Sequence, residues 1–554
     1  ERIRAPYDKL LNAAEPDPNW NIILYLMKHH LRGENVTLSS LAQAADIPFA
    51  SAMRRIHRLV DSGDVQLRGR GKTGKSHFLE PSRKLVISFT EYATRVKTLL
   101  GDTFGLKSGS GDAEEYYFGG SYLAGQIIPP LEIVEQTKES RSDLRFLLHD
   151  DNYFASMRDM WSDFRSKLSA RKNFTLLSLP ELRDEVFANA QRAESSYDVV
   201  AINMPWFGES VANHVAQPLG DFLKTSSINP LDFHPNIWAT GTWNKMQYGV
   251  PIYCTIEALC ARKDMLEARG IHQPTNFEKV IDAAKLLHNP KRGIQGVVWN
   301  AAKGMPIAHS FMFFMACCGS PVINIPHSRL HIDYSQLSGE AMRPRILSEQ
   351  GRRTLKYMHE LLAYSPPDIL SIDWNRALNY FMSGKAAMIY CWTMRAARFE
   401  YDIHSTVKRK VAYYPHPSGP GGGSVSPIGG FLLVVPERLP PERAKLAFEA
   451  ISWMASPSAM KEYVKNGFPV APRFSVSADP EAAASTPIVS FVDRLAKQNK
   501  IQNWQRPPIP EYRYIEEVLG EEIFAALDGS VSDEVALTRS QNRIDAVMRQ
   551  AGYY

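Results

Sequence analysis

The sequence predicts a multidomain protein with a small α+β unit at the front and a large α/β unit behind it. Two patterns predict this organisation. Residues 37–80 contain a helix–turn–helix pattern followed by two short strand-like runs, whereas strand-like and helical runs alternate from residue 143 onward. A chain of 554 residues is long enough for several domains, and its hydrophobic fraction of 44% suits a folded protein.

The front unit shows the pattern of two helices and a hairpin. Thr37 can cap a first helix in which apolar residues recur at helical spacing. This helix stops before Pro48, because the residue preceding a proline is disfavoured in the α conformation. We expect Pro48 in the first turn of the second helix and Gly63 just after its end. Strand-like residues 65–67 and 76–79 flank a glycine-rich loop with four cations, so we predict a winged helix-turn-helix within residues 1–104.

Positive charge is concentrated in this front unit. Residues 1–107 hold 17 Lys and Arg against 11 Asp and Glu, whereas the rest of the chain holds 47 against 48. The unit resembles the DNA-binding domain of winged-helix transcription regulators, whose second helix enters the major groove. The residues expected to contact double-stranded operator DNA are Ser51, Arg54, Arg55, Arg58, Arg68, Arg70, Lys72 and Lys75. The alternative is a structural or protein-docking use of the unit.

A further helix is predicted at residues 82–100, where apolar residues recur three to four positions apart. It can form a dimer seam, since many DNA-binding proteins use two-fold symmetry to span two half-sites. We therefore expect a homodimer, the alternative being a helix packed on its own domain. Residues 105–142 are expected to form a linker or connector, which begins with a flexible stretch rich in Gly and Ser.

The large unit begins with three predicted strands, at residues 144–149, 173–179 and 197–204, separated by helical patterns. Strands separated in this way favour a parallel sheet, and ligands of such sheets bind beyond the carboxyl ends of the strands. Those ends fall here at residues 149–153 and 203–206.

Six stretches of the large unit, taken in order, resemble the extracellular solute-binding proteins of ABC importers, specifically the sugar-type branch. They are residues 197–223, 247–287, 348–362, 377–395, 412–437 and 447–473. The resemblance implies a two-lobed α/β periplasmic-binding-protein-like (type II) fold over residues 143–554. In such folds the lobes are joined by crossing strands and close on a ligand about a hinge.

The resemblance also indicates where a ligand would bind. A sugar presents apolar C–H faces and hydroxyl groups, so its site needs aromatic platforms and polar partners. The candidate ligand-binding residues are Asp151, Asn152, Trp206, Tyr253, Thr255, Trp299, Asn300, Trp392, Arg395, Gly430 and Arg473. Each aromatic residue has core packing as its alternative role. His309 has no partner visible in the sequence, so we interpret it as structural.

Other classes of function lack their sequence patterns. The five cysteines show no metal-ligand spacing, and the motifs GxSxG, HExxH and CxxC are absent, so no metal, cofactor or enzymatic activity is expected. No apolar run approaches the length of a transmembrane helix, and the first residues lack a signal-peptide pattern. Together with a DNA-binding unit, these features predict a cytoplasmic protein without a membrane partner.

The sequence thus predicts a one-component transcription regulator that senses a sugar-like solute in the cleft between two lobes. Two alternatives stay open. The first is a solute-binding receptor whose front unit docks a protein. The second is a carbohydrate-active enzyme, for which the sequence nominates no acid/base pair.

Overall fold

The computed structural model divides the chain into two compact units, residues 1–107 and 108–554. The residues that the structure describes are 18–31, 35–70, 77–89, 92, 144–151, 154, 157, 174–327, 332–402, 404–465, 468, 472–498 and 500–554. The described part of each unit has a hydrophobic core of its own. The linker predicted at 105–142, most of the helix predicted after residue 151 and the second half of the predicted dimer seam lie outside the described residues.

The front unit contains short helices packed on a small sheet. In chain order its elements are α1 (Pro18–Leu31), β1 (Val36–Thr37), α2 (Leu38–Ala44), α3 (Phe49–Asp61), β2 (Val65–Arg70) and β3 (His77–Pro81). The strands form an antiparallel sheet in the order β1–β3–β2. The unit is held together by buried apolar residues on the helical stripes and the sheet, among them Leu26, Leu41, Ile56 and Leu79. Each such side chain contributes about 1.5–3 kcal/mol on burial.

The turn between α2 and α3 follows from local chemistry. The Thr37 hydroxyl accepts a hydrogen bond from the backbone N–H of Ser40 at 3.2 Å and so caps α2, as predicted. Asp46 then adopts a left-handed φ of +55°, a conformation that a short polar side chain tolerates. Pro48 is extended, with ψ at 135°, and is the N-cap of α3 instead of lying in its first turn. Gly63 follows α3 with a φ of +72°.

The second unit is built on an eight-stranded sheet in the order β10–β11–β9–β13–β6–β4–β5, with β12 also paired to β9. These strands are β4 (Phe146–His149), β5 (Phe174–Leu177), β6 (Val199–Asn203), β9 (Gly249–Arg262), β10 (Gln295–Val298), β11 (Ala386–Trp392), β12 (Val411–Tyr414) and β13 (Ile428–Val434). A separate hairpin pairs β7 (Thr242–Trp243) with β8 (Met246–Gln247). Strand β4 runs parallel to both β5 and β6, which confirms the predicted parallel strands.

The long strand β9 is shared by two lobes. Residues 249–256 pair with β13, which in turn pairs with β6, whereas residues 257–262 pair with β11 and β12. All of β9 except its last residue is buried, because it is covered by both lobes. The second unit therefore has the two-lobed α/β architecture that the family resemblance implied.

Helices of the second unit pack on the sheet and on one another. They are α4 (Leu179–Ala190), α5 (Phe207–Ala212), α6 (Gly220–Lys224), α7 (Pro235–Trp238), α8 (Lys263–Glu267), α9 (Phe277–Leu287), α10 (Met305–Cys317), α11 (Glu349–Leu362), α12 (Trp374–Met382), α13 (Thr393–Ala396), α14 (Arg398–Tyr401), α15 (Pro441–Met454), α16 (Pro457–Lys465), α17 (Phe474–Ser477), α18 (Pro480–Ser485), α19 (Pro487–Lys497), α20 (Tyr512–Leu527) and α21 (Asp533–Gln550). Within the described ranges, no helix combines the length and apolarity needed to cross a bilayer.

Helix α20 packs closely on the start of α10 because Gly520 has no side chain. A Cβ at Gly520 would lie 2.6 Å from the Cα of Gly304, far inside van der Waals contact. The backbone N–H of Gly304 also donates a hydrogen bond to the carbonyl of Gly520 at 3.3 Å. This contact fixes the side chains of α20 relative to those of α10, which matters for the cleft described next.

Candidate functional site

A cleft opens where β6 and β11 end and where β9 crosses β13. Its empty volume, counted together with the solvent at its mouth, is about 700 Å³. The predicted residues that line it are Trp206, Tyr253, Thr255, Trp392, Arg395 and Gly430. They come from distant chain segments, so the fold itself creates the cleft at the strand ends that the sequence indicated.

Tryptophan rings form much of the apolar lining. Trp206 ends a 3₁₀ turn directly after β6, and Trp392 is the last residue of β11, so both are placed by strand ends. Trp374, at the start of α12, also lines the cleft, although the sequence pattern does not single it out. Its indole Nε1 is buried and has no hydrogen-bond partner among the described residues. Flat apolar faces with such a donor suit the C–H faces and hydroxyls of a polyol.

The crossing of β9 and β13 requires glycine at two neighbouring positions. Gly430 has a φ of +131°, and a Cβ there would lie 2.4 Å from the carbonyl oxygen of Tyr253. A Cβ at Gly429 would lie 2.9 Å from the Trp392 ring and from Nη2 of Arg506. Both glycines therefore let the backbone of β13 approach the groups that line the cleft.

Asp151 supports the cleft wall from behind and is not part of its lining. The carboxylate accepts hydrogen bonds from the Tyr253 hydroxyl at 2.8 Å and from the backbone N–H of Phe154 at 2.9 Å. His149 Nδ1 lies 3.1 Å from the same carboxylate. Asp151 was predicted to bind ligand, but the structure places it behind the residues that line the cleft. Its carboxylate oxygens are occupied by hydrogen bonds to protein groups. Asn152 lies outside the described residues.

Thr255 joins the two lobes at the base of the cleft. Its hydroxyl accepts a hydrogen bond from the backbone N–H of Met394 at 3.1 Å and lies 3.2 Å from the Thr393 hydroxyl. Thr393 Oγ1 in turn accepts a hydrogen bond from the backbone N–H of Ile256 at 3.0 Å. This network ties α13, which carries Arg395, to the crossing strand β9.

Trp299 and Asn300 do not reach the cleft. Trp299 is fully buried, and its indole N–H donates a hydrogen bond to the Ser365 hydroxyl at 3.1 Å. The Asn300 amide donates to the Glu257 carboxylate at 3.0 Å inside the lobe. Both follow β10, as predicted, but the chain turns there so that their side chains enter the core. The expectation that they bind ligand is corrected for this reason.

Arg473 is also placed away from the cleft. Its Nε donates a hydrogen bond to the carbonyl of Ala455 at 2.8 Å, and Nη1 forms a salt bridge with Asp232 at 3.0 Å. The guanidinium carbon stacks 4.0 Å from the ring centre of Phe233. With its donors used inside the protein and 2% of its surface exposed, Arg473 has a structural role.

His309 is a cleft residue, contrary to its interpretation from sequence. Its Nε2 lies 2.9 Å from the Tyr512 hydroxyl and 2.6 Å from Oε1 of Glu516, and all three side chains line the cleft. The Tyr512 hydroxyl donates to the same carboxylate oxygen at 2.6 Å. Burial opposes ionisation of Glu516, but these hydrogen bonds outweigh it and lower its pKa. Burial lowers the pKa of His309 and raises that of Tyr512.

The sequence contained one signal for this cluster. Tyr512 and Glu516 are four residues apart on α20, so they lie on one helix face that is otherwise mostly apolar. Their partner His309 is about 200 residues away in the chain, and only the packing of α10 on α20 brings the three together.

The cationic residues predicted to bind DNA lie on the front unit. Arg54 and Arg58 are exposed on α3, Arg55 is partly buried, and Ser51 accepts a hydrogen bond from Arg54 at 3.3 Å. Arg68 forms a salt bridge with Glu80. The structure describes only the backbone of Arg70, and Lys72 and Lys75 lie outside the described residues.

Comparisons with known proteins identify the family. Residues 180–461, which are more than half of the chain, match the family described as bacterial extracellular solute-binding protein. This chain belongs to that family. A protein of Sinorhizobium fredii described as a probable amino-acid ABC transporter periplasmic-binding protein is 24% identical to this solute-binding protein over 426 residues, covering 75% of its chain and 91% of the relative. The mannitol-binding protein of Pseudomonas aeruginosa is 24% identical over 324 residues, covering 55% and 70% of the two chains.

Solved structures share the fold of this solute-binding protein. A solute-binding protein of Agrobacterium radiobacter K84 in complex with ribitol superposes with a TM-score of 0.63 at 23% identity, covering 73% of this chain and 98% of that one. One of Agrobacterium vitis S4 with bound D-mannitol superposes with a TM-score of 0.61 at 19% identity, covering 74% and 99%. These similarities support the two-lobed fold over most of the chain, and both family and neighbours are binding proteins.

The family corrects the functional prediction. The prediction of a transcription regulator that binds operator DNA is wrong, because the family and its relatives are described as extracellular or periplasmic. The prediction of a cytoplasmic location is wrong for the same reason. The expected homodimer and the absence of a membrane partner depended on the DNA-binding interpretation and are withdrawn with it. The DNA-contact roles of Ser51, Arg54, Arg55, Arg58, Arg68, Arg70, Lys72 and Lys75 are therefore withdrawn too.

Proposed function

We propose that this protein is a receptor that binds a polyhydroxylated, sugar-like solute in the cleft and delivers it to an ABC importer. The observation that supports this proposal most directly is that indole faces and unpaired polar groups occur together in one cleft. Trp374 Nε1 is buried without a hydrogen-bond partner among the described residues, and the partly buried amide of Asn203 also lines the cleft. Such groups can pair with hydroxyls that would otherwise lose their hydrogen bonds on burial.

The relatives support the same class of solute. The two Agrobacterium structures contain ribitol and D-mannitol, and the Pseudomonas relative is described as mannitol-binding. We propose Trp206, Trp374 and Trp392 as stacking platforms, because their rings line the cleft from strand or helix ends. Closure of the lobes about β9 and β13 would then remove the solute from water.

Thermal unfolding of the full chain tests this proposal. Polyols, sugars, sugar acids and amino acids are added one at a time, and the midpoint of unfolding is measured, since a solute that binds only the folded state raises it. The Trp392→Ala variant should lose the shift that the best solute causes. Trp504→Ala is the matched control, because Trp504 stacks on His327 with ring centres 4.1 Å apart and does not line the cleft.

The expected result is a shift with at least one polyhydroxylated solute that persists in the control variant. A shift with none of these solutes, or an equal shift in the Trp392→Ala variant, would contradict the proposal.

We also propose that the front unit has the winged-helix arrangement and docks a protein partner. The observation that favours docking is a mixed surface on and beside α3. Arg54 and Arg58 are exposed there without a salt bridge among the described residues, close in sequence to Phe49, which is 61% exposed. Exposed aromatic and arginine side chains are characteristic of protein interfaces, and they suit an acidic and apolar partner surface.

Binding of the full chain to the purified permease complex of its transporter tests the docking proposal. The double variant Arg54→Glu, Arg58→Glu should bind the permease complex at least about tenfold more weakly, because each change places a negative charge against an acidic partner surface. Its solute-induced thermal shift should equal that of the unchanged chain. Equal permease binding by both proteins would remove α3 from the interface.

A further inference from the structure

Arg395 is a cleft guanidinium that has no carboxylate partner among the described residues. It lies in the first turn after β11, is partly buried, and lines the cleft. Its Nη1 donates to the side-chain oxygen of Asn375, which is a neutral amide. Among the described residues it forms no salt bridge. A partly buried guanidinium is usually paired with an acid, because desolvating an unpaired charge is costly.

A second guanidinium in the same cleft is in a similar position. Arg506 is 7% exposed, its Nη2 donates to the carbonyl of Ile428 at 2.7 Å, and its planar group stacks 5.0 Å from the ring centre of Trp392. It forms no salt bridge within the described ranges, although its charge acts on Glu516 and Tyr512. The protein therefore holds this charge with a backbone carbonyl, an aromatic face and the hydroxyl of Tyr512.

Acidic groups of the cleft do not balance these two charges. Glu516 is the carboxylate among the lining residues, and its Oε1 already accepts hydrogen bonds from His309 and Tyr512. Asp151 lies behind the cleft wall, and its carboxylate is within hydrogen-bond distance of His149 Nδ1 and of the Tyr253 hydroxyl. Among the residues that the structure describes, two guanidiniums thus face the cleft against one lining carboxylate, which leaves an unmatched positive charge.

We propose that the cleft binds a polyhydroxylated carboxylate, such as an aldonic or uronic acid, whose acid group pairs with Arg395. The proposal rests on the proposed receptor function and narrows its solute class. Arg395 has Nε and Nη2 left to donate, which is the two-pronged geometry that a carboxylate accepts. Oε2 of Glu516 has no hydrogen bond among the described residues, so it can accept one from a hydroxyl of the same solute.

Isothermal titration of the full chain with D-gluconate and sorbitol tests this inference. The two solutes carry the same chain of hydroxyls and differ in the carboxylate at one end. We expect gluconate, or its uronic counterpart glucuronate, to bind at least about tenfold more tightly than sorbitol, as expected for a charge-assisted hydrogen-bonded pair. L-Glutamate is included as a carboxylate without hydroxyls.

Variants of Arg395 provide the second measurement. Arg395→Gln should weaken binding of the acid about tenfold or more, and Arg395→Lys should weaken it less, because the charge is kept but the planar fork is lost. Sorbitol affinity should change less than that of the acid. Arg376→Gln is the control, since Arg376 bonds Ser371 and Asp368 on the same lobe and does not line the cleft.

The outcomes separate this inference from the receptor proposal. Sorbitol or mannitol binding as tightly as the matched acid, or an acid affinity unchanged by Arg395→Gln, would overturn the acid preference and leave the receptor proposal standing. Binding of L-glutamate without binding of any polyhydroxylated solute would overturn both.

Discussion

Gly430 shows how a single residue shapes the cleft. It has a left-handed backbone, and its missing Cβ lets β13 pass within van der Waals distance of the Tyr253 carbonyl. Gly430→Ala should lower the free energy of unfolding by about 1–3 kcal/mol, because the new methyl group meets backbone that cannot move away cheaply. Urea denaturation measures this loss. Gly423→Ala is the control, as no atom lies within 4 Å of a Cβ there, and equal stability of the two variants would contradict the account.

His234 makes stability depend on pH. Its ring is buried against Phe474, neither ring nitrogen has a hydrogen-bond partner among the described residues, and burial lowers its pKa from 6.5 to about 4. The charge of Asp493 acts in the opposite direction and Lys497 in the same direction. Because the unfolded chain binds this proton more readily than the folded one, stability is lost as the pH falls from 6.5 towards 4.

The variant His234→Phe should remove this dependence. It keeps an aromatic ring against Phe474 but cannot titrate. Urea denaturation at pH 7.5 and pH 5 should show a stability loss on acidification that is smaller in the variant by about 2 kcal/mol. His309, whose pKa is also lowered by burial, is present in both proteins and cancels in the comparison. Identical pH profiles would show that His234 does not titrate in this range.

Single residues also show what the sequence could and could not predict. Trp206 and Trp392 were predictable as cleft residues because each lies at or just beyond the end of a buried strand, and strand ends form ligand sites in α/β folds. Trp299 directly follows strand β10 as well, yet it turns inward to the Ser365 hydroxyl. The sequence pattern fixes how near a residue is to the strand end but not the direction of its side chain, so the two cases look alike before folding.

At the scale of elements, the packing of α20 on α10 positions the cluster of His309, Tyr512 and Glu516. Gly520→Ala should push the helices apart, since its Cβ would lie 2.6 Å from the Cα of Gly304. We expect a loss of about 1–3 kcal/mol in stability together with weaker solute binding. Gly220→Ala on α6 is the control, with no atom within 4 Å of its Cβ.

Thermal unfolding and solute titration of both variants provide the measurement. Solute affinity that is equally unaffected in both would show that the contact between α10 and α20 does not position cleft residues.

The same two helices explain why part of the site escaped prediction. Strands β4, β5 and β6 were predictable from short apolar runs, and their parallel pairing followed from the helices between them. Helix α20 lies beyond the last stretch that resembles the family, and its contact with α10 joins residues about 200 positions apart. Local periodicity carries no information on such a contact, so the His309 cluster had to come from the structure.

For the whole molecule, the two-lobed fold supports our proposal that the cleft binds the solute. Strand β9 contributes one segment to each lobe, so rotation about this strand and β13 would open or close the cleft between them. The family match places this chain among extracellular solute-binding proteins. This finding overturned the prediction of a transcription regulator, which depended on the basic front unit. Helix spacing and strand-like runs predicted the two helices and the hairpin strands of that unit, whereas its charge could not determine its partner.

The most direct test of the central claim is a crystal structure of the full chain with its best solute from the thermal screen. We predict electron density for the solute in the cleft, against the rings of Trp206 and Trp392, and lobes closed around it. A solute bound elsewhere, or an empty cleft in a saturated crystal, would contradict the assignment of this cleft as the receptor site.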